Sequence, residues 1–331
     1  MNDQFETVRQ NIESRLKQYL DRAGMYYRIF SRSKEKDSII RKMKAKGDEY
    51  RAKGTKMQDL IGIRVVFYFQ DDVRIFHNKM KSMEGYDPKN ESNSTKELEE
   101  LSEFIRSMDE DVVKKNLLKL LPFHDKIFMP ERLNVVMAMD KFEQEIVKME
   151  LESQRDYDSS LIDYTYEVQL RTVLSEGWHE VEHDLRYKTK DESWWNYCGE
   201  ESRMLNGLYA SIETNEDALS RMIDEITYKN FQNHSWDAMI RFHFRRRTSG
   251  AKLSDKVCGI LDDDERLAKS LLHISREDVV HGLWEIGPVH PISTDFLFFL
   301  INRKFFREKR LADCEPMPIK VVLDKVYGQL Q

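Results

Sequence analysis

Apolar residues recur at helical spacing through the first 23 positions, where Phe5, Val8, Ile12, Leu16 and Leu20 form one stripe on a charged segment. The spacing predicts an amphipathic helix over residues 3–23. The next stretch, YYRIFSRSKEKDSIIRKMKAKGDEYRAKGTK, is densely basic and reads as an extended piece entering a helix near Ser38, a residue type suited to a helix start. LIGIRVVFYF (60–69) is a β-branched and aromatic run bounded by polar residues, the pattern of a buried strand. Residues 74–125 read as mostly helical, with DPKNESNSTKE as a solvated loop within them. LNVVMAMD (133–140) and DYTYEVQL (163–170) are two further strands. The charged EQEIVKMELESQRDYDSS between them fits either a helix or a long hairpin.

After the third strand, TVLSEGWHEVEHDLRYK predicts a helix with Leu174, Trp178, Val181 and Leu185 on one face and Glu182 and His183 beside it. A second helix, near 201–228, carries Met204, Leu208, Ile212, Leu219, Met222 and Ile226. Residues 235–331 read as several short helices. The expected fold is α/β of the α+β kind: a mixed β-sheet flanked by helices, followed by an α-helical C-terminal region. The expected boundaries are 1–228, including the N-terminal helix and a helical insertion near 83–125, and 229–331. No repeat or low-complexity tract is present.

Composition narrows the function classes. Hydrophobic residues make up 40% of the 331 and charged residues 34%, enough for a real core under a charged surface. The net charge of −6 argues against a surface that binds nucleic acid as a whole, so any polyanion site must be a local basic patch. Cys198, Cys258 and Cys314 lie far apart without a CxxC pair, which disfavours a disulfide framework or zinc knuckle and suits a reducing, cytoplasmic setting. No run approaches the about 20 apolar residues of a membrane span. The polar, acidic N-terminus is no signal peptide. A soluble intracellular protein without membrane partners is expected.

Three features outline a phosphate-handling site. Arg32, Lys34, Ser38 and Lys42 form a basic entry, with Ser38 and Lys42 one helical turn apart. Converging, they could hold a triphosphate, Arg by its fork and Lys as a point charge; alone, such a segment is more often a solvated helix start. Asp59 opens the strand that contains Arg64, and an Arg in an apolar strand needs a salt bridge or a planar partner to stack on. Strand alternation puts Glu167, Gln169 and Arg171 on one face, opposite Val168 and Leu170. If that strand neighbours 60–69, Asp59 and Glu167 could share one Mg²⁺.

In that order, RSKEKDSIIRKM, DLIGIR, EVQLRT and W-x-x-x-E-H-x-x-x-Y-K (Trp178, Glu182, His183, Tyr187, Lys188) resemble the RelA/SpoT synthetase domain over roughly residues 25–190. The resemblance implies a nucleotidyltransferase-like fold and an enzyme that moves the β,γ-pyrophosphate of ATP to the 3′-hydroxyl of GDP or GTP. It implies that Arg32 and Arg64 sandwich the adenine, that Lys34, Ser38 and Lys42 hold phosphates, and that Asp59 and Glu167 place Mg²⁺. Glu167 would also accept the hydroxyl proton, with Gln169 supporting the site.

The sequence departs from the family at the acceptor loop, usually N-G-Y-R-S-L-H. KIFMPERLNVVMAMD stands there, with Asn134 at the His position and Phe128 or Arg132 as the remaining stacking surfaces. Glu176, nine residues after Glu167, is placed to read a guanine edge or is simply an exposed helix acid; Arg171 completes the acceptor candidates. Few residues precede the match, so no hydrolase domain is expected. His124-Asp125 and His183-Asp184 read as structural pairs.

The C-terminal region resembles no named family. Arg241, Arg245, Arg246 and Arg247 with Phe242 and Phe244 could bind RNA, but aromatics packed inward with arginines facing water is the favoured reading. Trp194-Trp195 is expected to pack the two parts together. FLFFLI (296–301) reads as a buried helix or a subunit contact, the latter implying a homo-oligomer. Two alternatives to a guanosine acceptor stand beside the leading one: a toxin-like enzyme acting on adenosine nucleotides or the tRNA 3′ end, and a non-catalytic nucleotide sensor.

Overall fold

The computed structural model describes residues 4–58, 60–93, 133–152, 158–182, 199–250, 252–287 and 292–329. Asp59, Phe128, Arg132, the pairs at 124–125 and 183–184, Tyr187, Lys188 and Trp194-Trp195 lie outside them, and Glu182 is described in its backbone only. The chain divides into two compact units, Met1–Glu13 with Arg28–Glu216, and Ser14–Tyr27 with Asp217–Gln331.

The first unit is built on a five-stranded sheet in the order β1-β2-β5-β4-β3. Its strands are β1 (Tyr27–Ser33), β2 (Ile61–Phe67), β3 (Tyr86–Asn93), β4 (Leu133–Ala138) and β5 (Thr165–Thr172). The adjacency expected of β2 and β5 is present: they pair in parallel, Gly62 against Glu167 and Arg64 against Gln169. β4 runs antiparallel to β5, with Asn134 against Gln169 and Val136 against Glu167. The two-residue period of a strand explains the two faces. Ile61, Ile63, Val65, Tyr166, Val168, Leu170, Val135 and Met137 are buried, whereas Gly62, Arg64, Glu167, Gln169, Asn134 and Val136 are only partly covered. One face is therefore core and the other is open and polar.

The stripe of α1 (Gln4–Arg22), a helix that contributes residues to both units, is buried throughout, as its spacing predicts. α2 (Lys36–Lys53) starts two residues before Ser38. α3 (Gln70–Met80) packs on β2 and β5, its Phe76 ring 5.7 Å from Phe67; each buried Phe is worth about 1.5–3 kcal/mol. The segment left open between helix and hairpin contains helix α4 (Lys141–Glu152). Its start is a reciprocal cap, Asp140 Oδ1 accepting from Glu143 N at 2.8 Å and Glu143 Oε2 from Asp140 N at 3.0 Å.

Three expectations need correction. Residues 87–93 of the supposed solvated loop form most of β3, which among the described residues is an edge strand paired with β4 alone, where Pro88 and charged side chains are tolerated because an outer edge needs no partner. In α5 (Val173–Glu182) the buried residues are Ser175, Trp178 and His179, whereas Leu174 and Val181 are exposed. In α6 (Gly199–Gln232) Tyr209, Ile223 and Thr227 face inward and Met204, Leu208 and Met222 do not. On α5 ring and hydroxyl groups meet the packed side, and on α6 Ile223 joins a ring and a hydroxyl there.

The second unit is helical, with α7 (Trp236–Phe244), α8 (Asp255–Asp263), α9 (Glu265–Leu271), α10 (Arg276–Ile286), α11 (Thr294–Ile301), α12 (Lys309–Ala312) and α13 (Met317–Tyr327). FLFFLI is the buried heart of α11, which resolves its reading toward core. The arginine cluster differs from expectation. Arg245 and Arg246 are 4% and 1% exposed, not turned to water. Arg245 donates to Asp224 Oδ1 at 2.9 Å, and Arg246 Nε to the Phe244 carbonyl at 2.7 Å. Desolvating an arginine requires such acceptors.

Candidate active site

The open face of the first unit gathers most of the residues singled out by the sequence. Their placement follows from register. Lys34 N donates to Leu60 O at 2.9 Å, and Arg32 Cγ and Nε lie 3.7 Å from where a Cβ on Gly62 would sit. Arg32, Gly62, Glu167 and Val136 therefore form one row across four strands. The next row holds Arg64, Gln169 and Asn134. Neighbouring strands lie about 4.8 Å apart, so Gly62 leaves a trough between Arg32 and Glu167. A side chain larger than Ala there would displace Arg32.

A hydrogen-bonded chain links the two rows. Arg64 Nε donates to Gln169 Oε1 at 3.0 Å, and Gln169 Nε2 donates to Glu167 Oε2 at 3.4 Å. Arg64 Nη1 also donates to Glu176 Oε1 at 2.6 Å and to Glu180, both on α5. Burial works against the charge on Arg64, but the hydrogen bonds it donates to Glu176 and Glu180 outweigh it and raise its pKa above the ordinary arginine value. The salt bridge that an Arg in an apolar strand requires is thus present.

The basic entry lies beside this face. Lys34 Nζ donates to the Gln58 carbonyl at 3.3 Å, and Ser38 Oγ accepts from Arg41 Nη2 at 3.0 Å. Lys42 is half-buried one turn along α2 from Ser38. Arg171 joins the far end of the second row and is buried there, donating to Asn134 Oδ1 at 3.1 Å and to the Leu170 carbonyl at 3.0 Å. Glu176, a candidate reader of an acceptor base, here holds Arg64.

Two features escape the sequence reading. Glu180 joins Glu176 on Arg64, and its signal was the four-residue spacing that puts both acids on one side of α5. Arg28 and Phe30 are exposed on β1 at the alternate positions shared with Arg32, Phe30 at 55%. An aromatic flanked by two arginines on an edge strand suits a planar ligand.

Residues 31–118 match the sequence profile of a region found in RelA / SpoT proteins. The match includes Arg32 to Arg64 and ends before Glu167. No curated protein matches the chain. Among solved structures, the chain is similar to small alarmone synthetase 1 from Bacillus subtilis bound to its product pppGpp, at 16% identity and a TM-score of 0.38, over 67% of this chain and 94% of that one. A GTP pyrophosphokinase family protein from Streptococcus pneumoniae aligns at 17% identity and a TM-score of 0.38, over 67% and 88%. Small alarmone synthetase 2 from Bacillus subtilis aligns at 14% and 0.36, over 65% and 96%.

Proposed function

We propose that the chain, whose residues 31–118 match the RelA/SpoT profile, is a nucleotide 3′-pyrophosphokinase that transfers the β,γ-pyrophosphate of ATP to the 3′-hydroxyl of GDP or GTP. The observation that carries this reading is the open face. Arg32, Arg64, Glu167 and Gln169 lie on adjacent strands, beside Lys34 and the helix that follows it with Ser38 and Lys42 in its first turns. Arg32 and Arg64 offer planar cations to the adenine, and Lys34, Ser38 and Lys42 offer donors to the triphosphate.

A magnesium ion bound largely through substrate phosphates needs only one or two protein carboxylates. Among the described residues no group of three or more His, Cys, Asp or Glu forms a metal cage. Glu167, half-buried on a face with cations on either side, fits the lesser requirement, with Asp59 as the second carboxylate. When bound, Mg²⁺ neutralises charge on the triphosphate. The acceptor's 3′-oxygen attacks the β-phosphorus, the bond from that phosphorus to the α-bridging oxygen breaks, AMP leaves, and Glu167 takes the hydroxyl proton. Gln169, fixed by Arg64 on its carbonyl side, presents its amide N–H to Glu167 and orients the carboxylate. Such transfer is mainly positioning and charge neutralisation, which these groups supply.

The burial of Arg245 and Arg246 works against the alternative in which that cluster docks tRNA. The test is a mass analysis of products from ATP and Mg²⁺ with GDP, GTP, a second ATP and tRNA as separate acceptors. A guanosine nucleotide heavier by one pyrophosphate supports the proposal; modification of tRNA or adenosine nucleotides alone overturns its acceptor.

A further inference from the structure

Arg64 is tied by its edge. Nε and Nη1 are taken by Gln169 and by the two α5 carboxylates, and only Nη2 has no hydrogen-bond partner among the described residues. An arginine grips phosphate through its N–H edge and stacks on a base through its flat face. With Nε and Nη1 occupied no two-nitrogen fork is left, so a phosphate could reach Nη2 alone, whereas the flat face of a side chain still 31% exposed is available. Two like charges four residues apart on a helix repel each other. Here Glu176 and Glu180 converge on one cation, which offsets that repulsion and makes α5 a support for Arg64. Glu176 is three-quarters or more covered and Glu180 sits at the rim, so the inner acid anchors and the outer one closes the clamp.

We propose that Glu176 and Glu180 are positioning residues that hold Arg64 by its edge, so that it stacks on the donor's purine base and does not seize the donor's phosphates. This rests on the reading of Arg64 as part of the donor site. Freed of the clamp, the same guanidinium turns its fork toward the nearest polyanion. The clamp therefore sets a preference, nucleoside triphosphate over bare polyphosphate, which simple loss of folding does not alter selectively.

Calorimetric titration of the full chain with ATP and with inorganic tripolyphosphate, each with Mg²⁺, tests this. Wild type should favour ATP. E176Q/E180Q should lose roughly tenfold in that preference, the size of a lost stacking interaction, and E180Q, at an exposed position, should move the same way by less. R64K keeps the charge without the flat fork; adding E176Q/E180Q to R64K should change the preference no further. An unchanged ratio in E176Q/E180Q, or equal losses for both ligands, overturns the clamp while leaving the donor site standing. Wild type that binds neither ligand overturns both.

Discussion

Glu167 stands in a row with Arg32 and Gly62 and accepts from Gln169 at 3.4 Å, so replacing its charge without changing its shape isolates its chemistry. Glu167→Gln should lower turnover roughly a thousandfold or more under the proposal that this carboxylate both binds the metal and takes a proton. ATP affinity measured by titration should change far less, because the cations proposed to hold the triphosphate are untouched. A fall in affinity that accounts for the whole loss would assign Glu167 to binding instead. At this scale much of the site was legible. Alternation along EVQLRT gave Glu167 and Gln169 a common face, and an Arg inside LIGIRVVFYF demanded a partner. The identity of that partner was not legible, because Glu176 and Glu180 reach Arg64 from more than a hundred residues away. Arg171 is on the face that parity assigns it, since it donates to Asn134 in the row of Arg64 and Gln169, but what parity could not show is that it is buried there.

Among the elements, β3 shows what patterning cannot reveal. Its residues from Asp87 on, DPKNESN, read as a loop because an edge strand exposed along one side has no need of alternating apolar residues. What directs the chain into it is Gly85, with φ of +91° and a carbonyl that accepts from Ala138 N at 2.8 Å. A Cβ there would lie 2.5 Å from Ala138 O, backbone that cannot yield cheaply. Gly85→Ala should therefore destabilise the sheet unit by more than about 1 kcal/mol, read as a lowered midpoint in denaturant. An unchanged midpoint would mean the turn is not a constraint. Where alternation or helical spacing was strong, as in α1, β2 and β5, sequence and structure agree. α4 was also decidable, since Asp140 and Glu143 carry the spacing of a helix cap. In α5 the expected face was right at Trp178 and wrong at Leu174 and Val181, because Trp178, His179 and Tyr209 pack as an aromatic group, Trp178 and Tyr209 with centroids 4.9 Å apart.

At the scale of the whole molecule, a mixed-sheet unit that carries the candidate chemistry and a helical unit with its own core are encoded in one chain. The family likeness visible in the motifs extends to a profile match over residues 31–118, while residues 217–331 contribute a separate fold. No helix among the described residues is long and apolar enough to cross a membrane. The helical unit carries its own pH dependence. Burial pushes the pKa of His243 from 6.5 down to about 4, even though its Nε2 lies 3.1 Å from the Ile274 carbonyl. Above pH 6.5 the imidazole is neutral whether folded or not. As pH falls toward 4 the unfolded chain binds a proton that the folded unit refuses, so stability is lost across that window, by on the order of 3 kcal/mol. Urea titrations at pH 7 and pH 5 should show this loss, and His243→Gln should flatten it; an equal slope in the variant would assign the loss to other groups.

The central claim is that a pyrophosphoryl group moves as one piece. Quantifying the adenine nucleotide released from ATP, with Mg²⁺ and GDP or GTP present, tests it most directly. The account predicts AMP in a one-to-one ratio with pyrophosphorylated guanosine nucleotide, and neither product from Glu167→Gln. Release of ADP with a single phosphate transferred, or no AMP with either acceptor, would contradict it.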